Sequence, residues 1–149
     1  MSDLTSHTPH DDLASRIALP RYPRSSAYDA RWAVDNQMGP HALWLLEWLA
    51  PALGLEALRP GARVLDLGCG RAMTSIFLAR EYDVQVTAAD LWIKPDENAR
   101  RIAEAGVADR VLPVLAEAHD LPFGRRASTR SSPSTRTSTS APTICTCRR

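Results

Sequence analysis

The chain has 149 residues, of which 44% are hydrophobic, 23% charged and 6% aromatic, enough for one modest domain. Its longest uninterrupted apolar run, Ala42–Leu46, is too short to cross a bilayer, and Met1–Pro20 carries Asp3, Asp11 and Asp12 and lacks the apolar core of a secretory signal. Three cysteines make no disulfide framework, so a reducing, cytoplasmic protein without a membrane partner is expected.

The net charge of +1 conceals an asymmetry. All 17 acids and 12 of the 18 bases lie in residues 1–123, a net charge of −5, whereas residues 124–149 hold six arginines and no acid. Residues 1–27 are polar, carry Pro20 and Pro23, and read as a flexible arm with at most a short helical turn near Asp11–Ala18. Residues 28–59 read as a helical cap. Its first helix is expected over 28–38, and a second follows Gly39, with Pro40 in the first helical position and Trp44 and Trp48 on one face. That helix ends or bends before Pro51.

Pro60-Gly61 marks a turn. Ala62–Leu67 then reads as a buried strand, Arg71–Arg80 as a helix, and Asp83–Ala89 as a strand ending at Asp90. Pro95–Ala105 reads as a polar helix and Arg110–Leu115 as a third strand. The order β-α-β-α-β predicts an α/β domain over 60–123, with a parallel sheet in the order 3-2-1 and right-handed crossovers.

The chemistry concentrates in Val64-Leu65-Asp66-Leu67-Gly68-Cys69-Gly70-Arg71-Ala72-Met73. A glycine-rich turn leaves the carboxyl end of a strand and opens a helix, so backbone is able to approach a ligand closely. The next strand ends in Asp90, whose carboxylate is placed to accept both hydroxyls of an adenosine ribose. A dinucleotide site would want a third glycine where Met73 stands, so an NAD(P)-dependent oxidoreductase fragment is the second reading. S-adenosylmethionine fits better. It has no phosphate, and its cationic amino and sulfonium groups suit Asp66 and Asp90.

Asp66-Leu-Gly68-Cys-Gly70-Arg-Ala72 resembles motif I of the class I S-adenosylmethionine-dependent methyltransferases, (D/E)-x-G-x-G-x-G, with Ala72 replacing the last glycine. Asp90 stands where that family places its ribose-binding acid, and Glu117-Ala118-His119-Asp120-Leu121-Pro122-Phe123 resembles its D-A-x-x-L-P-F segment. The resemblance covers roughly residues 36–123. It implies the N-terminal half of a Rossmann-like methyltransferase fold with S-adenosylmethionine as cofactor. Asp66, Gly68 and Gly70 would bind the cofactor, and Asp90 its ribose. Leu91 and Trp92 would flank the adenine or ribose, Glu117 would reach the adenine amino group, and the Ala118 amide its ring. The acceptor implied is a small molecule, because the acidic body argues against nucleic acid. No metal site and no catalytic residue are assigned. Tyr28, His41 and Trp44 are the candidates for the acceptor side. Cys69 reads as small filler.

Residues 124–149 contain six Ser and six Thr beside the six Arg, and Ile144 is their one large aliphatic residue. Such a segment cannot bury enough apolar surface to offset its ordering entropy and reads as disordered. A third reading makes it a nucleic-acid-binding basic tail, but it has no aromatic residue to stack on bases. Cys145-Thr-Cys147 without a partner pair is a weak metal signal. The family's sheet continues after Leu-Pro-Phe with a strand that often begins Phe-Asp, and that strand neighbours the first. A domain truncated here would leave the Val64–Leu67 strand an open edge, prone to pair with other chains, and one wall of the cofactor cleft missing.

The tail's composition is that of a GC-rich gene read out of frame. Ser128-Thr129-Arg130 written TCG-ACG-CG and begun one base earlier with T becomes Phe-Asp-Ala. Ser140–Arg148 shifted likewise becomes Phe-Gly-Thr-Asp-Asp-Leu-Tyr-Leu-Pro. The coding DNA is therefore expected to encode, in another frame after Phe123, a Phe-Asp strand and its successors. Sequencing that finds no such frame refutes the expectation.

Overall fold

A computed structural model describes residues 9–121 and 144–145. The helices are α1 (Pro9–Ile17), α2 (Pro23–Ser26), α3 (Ala30–Asn36), α4 (Ala42–Leu49), α5 (Met73–Tyr82) and α6 (Pro95–Glu104). The strands are β1 (Arg63–Leu67), β2 (Gln85–Asp90), β3 (Val111–Leu115) and β4 (Ile144–Cys145). They form one sheet in the order β3-β2-β1-β4, with parallel pairing throughout. The sequence order β1-α5-β2-α6-β3 is the expected one, and each expected strand and helix of 60–123 is present within a few residues of its expected bounds. No described helix is long and apolar enough to cross a membrane.

The segment expected to be a flexible arm is anchored over 9–26. Two short helices replace the single turn foreseen there, and tertiary contacts hold the second. The Glu47 carboxylate on α4 accepts from the backbone N–H of Arg24 (3.0 Å) and Ser25 (2.8 Å) and from the Ser25 hydroxyl (2.6 Å). It thereby satisfies orphan donors at the start of α2, where Tyr22 offers no side-chain cap. No local pattern announces a capping group that lies 22 residues downstream.

In the cap, α4 starts at Ala42, later than the Pro40 start expected. His41 is its N-cap, with Nδ1 accepting from the Trp44 N–H at 3.4 Å and the imidazole stacked on the indole 4.1 Å away. A side-chain cap thus prevails over the preset φ of proline. Burial lowers the His41 pKa, favouring the neutral ring that can accept this bond.

The register explains the core. Val64, Val86 and Val111 lie in one row across the sheet and are all buried. A sheet that steps steadily from β1 to β3 with right-handed crossovers puts α5 and α6 on the same face. There Ile76, Phe77, Leu78 and Ile102 are buried with these valines in one cluster. The next row, Leu65, Thr87 and Leu112, faces the other way; Leu65 and Thr87 are half-buried and Leu112 is 62% exposed.

The β1 edge is not wholly open. Asp66 and Leu67 pair with Ile144 and Cys145, while Arg63–Leu65 have no pairing on that side among the described residues. The tail residues that pair include its one large aliphatic, a β-branched residue suited to a strand. The rest of the tail lies outside the described residues.

An apolar sheet face in water favours association. Leu112→Asp is expected to leave folding stability within about 1 kcal/mol, as a surface change, while reducing self-association in sedimentation velocity. A wild-type chain already monomeric at the same concentration would contradict this.

Candidate functional site

β1 ends in the turn Gly68–Ala72, and its shape follows from backbone that only small residues adopt. Gly68, Gly70 and Ala72 all have positive φ (76°, 55° and 59°). The Gly68 and Cys69 N–H groups donate to the Ala89 carbonyl of β2 (2.8 and 3.1 Å), and the Ala72 N–H donates to the Cys69 carbonyl (3.0 Å). The turn is thus stitched to the neighbouring strand.

Gly70 is fixed at both polar atoms. Its N–H donates to Asp90 Oδ2 at 2.8 Å, and its carbonyl accepts from Asn98 Nδ2 at 2.9 Å. Met38 closes the third side, because a Cβ at Gly70 would lie 3.2 Å from the Met38 sulfur. Beside it the Arg71 guanidinium donates to the Asp35 carbonyl at the end of α3. The cap therefore sits directly on the loop.

The expected site residues occupy different places. Asp66 is 1% exposed and lies behind the turn, its Oδ2 accepting from the Thr74 (2.5 Å) and Ser75 (2.7 Å) hydroxyls in the first turn of α5. A carboxylate there complements the positive end of the helix, which has no side-chain N-cap at Ala72. Asp90 is buried at the end of β2, and three backbone groups already use it. Oδ1 accepts from the Trp92 (2.8 Å) and Ile93 (3.0 Å) N–H groups, and Oδ2 from Gly70. A carboxylate offers about four acceptor positions, so about one remains, on the oxygen that faces the loop.

Leu91 and Trp92 follow as exposed apolar side chains, Trp92 at 78%. The Ala116 N–H donates to the Asp90 carbonyl at 3.0 Å, bringing the exit of β3 beside Asp90. Glu117 and Ala118 are exposed in the turn that follows, which the Asp120 N–H closes on the Glu117 carbonyl at 3.1 Å.

The acceptor-side candidates are engaged elsewhere. Tyr28 donates to Glu81 at 3.0 Å and packs on Phe77 with ring centroids 5.5 Å apart; burial and the nearby Glu81 charge raise its pKa. His41 and Trp44 cap and stack within α4, whereas Trp48 is exposed. Cys69 is buried, and burial together with Asp66 and Asp90 drives its pKa well up, so it stays an inert thiol. Two surface depressions of about 330 and 400 Å³ lie on the helical side, around Tyr22, Glu47 and Tyr82 and around Tyr28, Trp32 and Glu81. Neither is lined by a residue of the Gly68–Ala72 turn.

Sequence reasoning missed Asn98. It is buried on α6, with Arg101 donating to its Oδ1 at 3.1 Å. Its place four residues before the buried Ile102, on the same helix face, was the available signal. Asn98→Leu conserves volume but leaves the Gly70 carbonyl unpaired. It is expected to cost about 1–3 kcal/mol in urea unfolding, and a loss well below 1 kcal/mol would show that the clamp is dispensable.

No known family's profile matches the chain. A curated relative, the 27-O-demethylrifamycin SV methyltransferase of Amycolatopsis mediterranei (strain S699), is 41% identical over 71 residues, which is 47% of this chain and 26% of the relative. Among solved structures, a candidate sarcosine dimethylglycine methyltransferase from Galdieria sulphuraria superposes with a TM-score of 0.51 at 27% identity, covering 56% of this chain and 32% of that one. The chain thus spans about a quarter to a third of the length of these relatives. With the glycine turn, the strand-end acid and the parallel 3-2-1 sheet in place, the described part of the chain is similar to a stretch of these S-adenosylmethionine-dependent methyltransferases.

Proposed function

We propose that the clamped turn Gly68–Ala72, with Asp90 at its rim, holds S-adenosylmethionine, and that the whole protein transfers its methyl group to a small-molecule acceptor. The observation that carries this reading is the Gly70 peptide, held between Asn98 and an Asp90 carboxylate that keeps an acceptor position to spare. A ribose hydroxyl suits that position. No basic side chain touches the Gly70 peptide among the described contacts, as a cofactor without phosphate requires.

Met73 is buried at the start of α5, where a dinucleotide fold would place a small residue, so the NAD reading is not favoured. Leu91, Trp92 and the turn at Glu117–Ala118 would form the adenine walls. The curated relative's name gives a small-molecule acceptor for that protein, and the acidic body agrees with such a substrate better than with nucleic acid.

When bound, the cofactor would supply a sulfonium methyl to which an acceptor lone pair bonds in line while the C–S bond breaks and S-adenosylhomocysteine leaves. The chain's own contribution is alignment. Asp90 and the turn would fix the adenosyl end, and the buried Asp66 would add a negative field at the start of α5 toward the cationic end. None of Tyr28, His41 and Trp44 is in a position that assigns it a proton to move, and no catalytic base is proposed.

The described residues build the β1–β3 side of the cleft and only two residues of a strand beyond β1. We therefore propose that this chain binds the cofactor weakly and transfers methyl poorly. S-adenosylhomocysteine is expected to shift the Gly68 and Gly70 amide resonances in fast exchange, NAD to leave them unmoved, and Asp90→Ala to weaken the response about tenfold or more. Equal responses to both ligands, or none to either, would refute the cofactor assignment. Micromolar binding by calorimetry to a soluble monomer would refute the weakness.

A further inference from the structure

The clamp on Gly70 has a polarity. Asn98 is 1% exposed, and its amide lies between groups of opposite kind. Nδ2 donates to the Gly70 carbonyl at 2.9 Å and to the Cys69 sulfur at 3.7 Å, while Oδ1 accepts from Arg101 Nη1 at 3.1 Å. The two ends of an amide are nearly identical in size and shape, so hydrogen bonding and not packing tells them apart. Turned end for end, the amide would set Oδ1 against the Gly70 carbonyl oxygen and Nδ2 against a guanidinium. Facing acceptors and facing donors are costly in a buried place that water does not reach. A guanidinium offers donors and no acceptor, so Arg101 admits one orientation. Arg101 is itself held. It stands four residues after Glu97, a spacing that brings helix side chains together, and its Nη2 lies 3.8 Å from Glu97 Oε2. A line of polar contacts thus runs from Glu97 through Arg101 and Asn98 to Gly70, and across Gly70 to Asp90.

We infer that Arg101 is a positioning residue for cofactor binding: it fixes the orientation of the Asn98 amide and thereby the shape of the glycine turn beside Asp90. This rests on the cofactor reading proposed above. Among the described hydrogen bonds, the Arg101 side chain reaches no residue of the turn, so it acts through Asn98 alone. Without its donors the amide is free to turn over, and the Gly70 carbonyl loses its partner for part of the time. A glycine at φ 55° has no side chain to hold the backbone in one shape. The turn then visits other shapes, and a ligand finds only the fraction of molecules in the competent one. Affinity falls by that fraction although no atom that would touch the ligand has been removed.

The test titrates the full chain with S-adenosylhomocysteine and follows the Gly68 and Gly70 amide resonances. Arg101→Met keeps the aliphatic stem and removes the donors; it is expected to weaken binding about fivefold or more. Arg101→Lys keeps a cation with donors only and is expected to stay within about twofold of wild type. Arg100→Met removes the same charge from the adjacent, exposed position of α6 and is likewise expected to stay within about twofold. In the wild-type chain the Asn98 Nδ2 proton bonded to Gly70 is expected to exchange slowly with solvent, and in Arg101→Met faster. Binding by Arg101→Met within about twofold of wild type overturns the inference while the cofactor reading stands. Weakening by Arg101→Lys or Arg100→Met as large as that by Arg101→Met does the same. Should Arg101→Met fail to fold, the wild-type exchange decides: fast exchange of both Nδ2 protons overturns the inference. A wild-type chain whose Gly68 and Gly70 amides do not respond to S-adenosylhomocysteine overturns both.

Discussion

The site depends on immobilising one peptide unit. Gly70 has its N–H on a carboxylate from the end of β2, its carbonyl on an amide from α6, and a methionine of the cap against its α-carbon. A turn with three positive-φ residues in five has little intrinsic preference for a single shape. Contacts from three separate elements select one. The polar partners are themselves held in place by further bonds. Asp90 also caps the turn that follows β2, and Asn98 also receives Arg101 within α6. The geometry of the loop is therefore coupled to the sheet, to a helix on its face and to the cap.

Placing Asp66 behind the loop and Asp90 beside it divides two roles that resemble each other in the sequence. Both are aspartates near the carboxyl end of a buried strand. Asp66 is turned into the first turn of α5 because Thr74 and Ser75 bring hydroxyls there, on a helix whose first residue follows a left-handed alanine with no cap of its own. Asp90 stays at the rim because its Oδ1 is drawn to two N–H groups just beyond the strand, which leaves the other oxygen facing Gly70. The first works through a helix dipole and stability, and the second is available to a ligand.

The sheet is asymmetric. One face carries α5, α6 and the buried valine row; the other shows Leu65, Thr87 and Leu112 with little cover among the described residues. Both crossovers run in one direction, so right-handedness places both helices on one side. A connection stepping back across β1 would have to cover the opposite face, and the composition of residues 124–143, without Leu, Ile, Val or Met, is poorly suited to that. The relatives, which are nearly twice as long, have chain to spare for it.

The sequence by itself determined the alternation of strand and helix, the position of the glycine turn and the acid that ends the second strand. Those features are local: an apolar run bounded by glycine, a helix opened by proline, a β-branched strand. Tertiary structure decided what no local pattern carries. Glu47 holds α2 from 22 residues away, Asn98 clamps Gly70 from 28 residues away, and Met38 with the Asp35 carbonyl brings the cap onto the loop. It also decided that Tyr28 packs on Phe77 and that His41 caps a helix, whereas composition alone left both as candidates for chemistry. Hydrogen-bond partners far apart in the chain are chosen by where the fold leaves an orphan donor or acceptor, and that is settled only once the elements have packed.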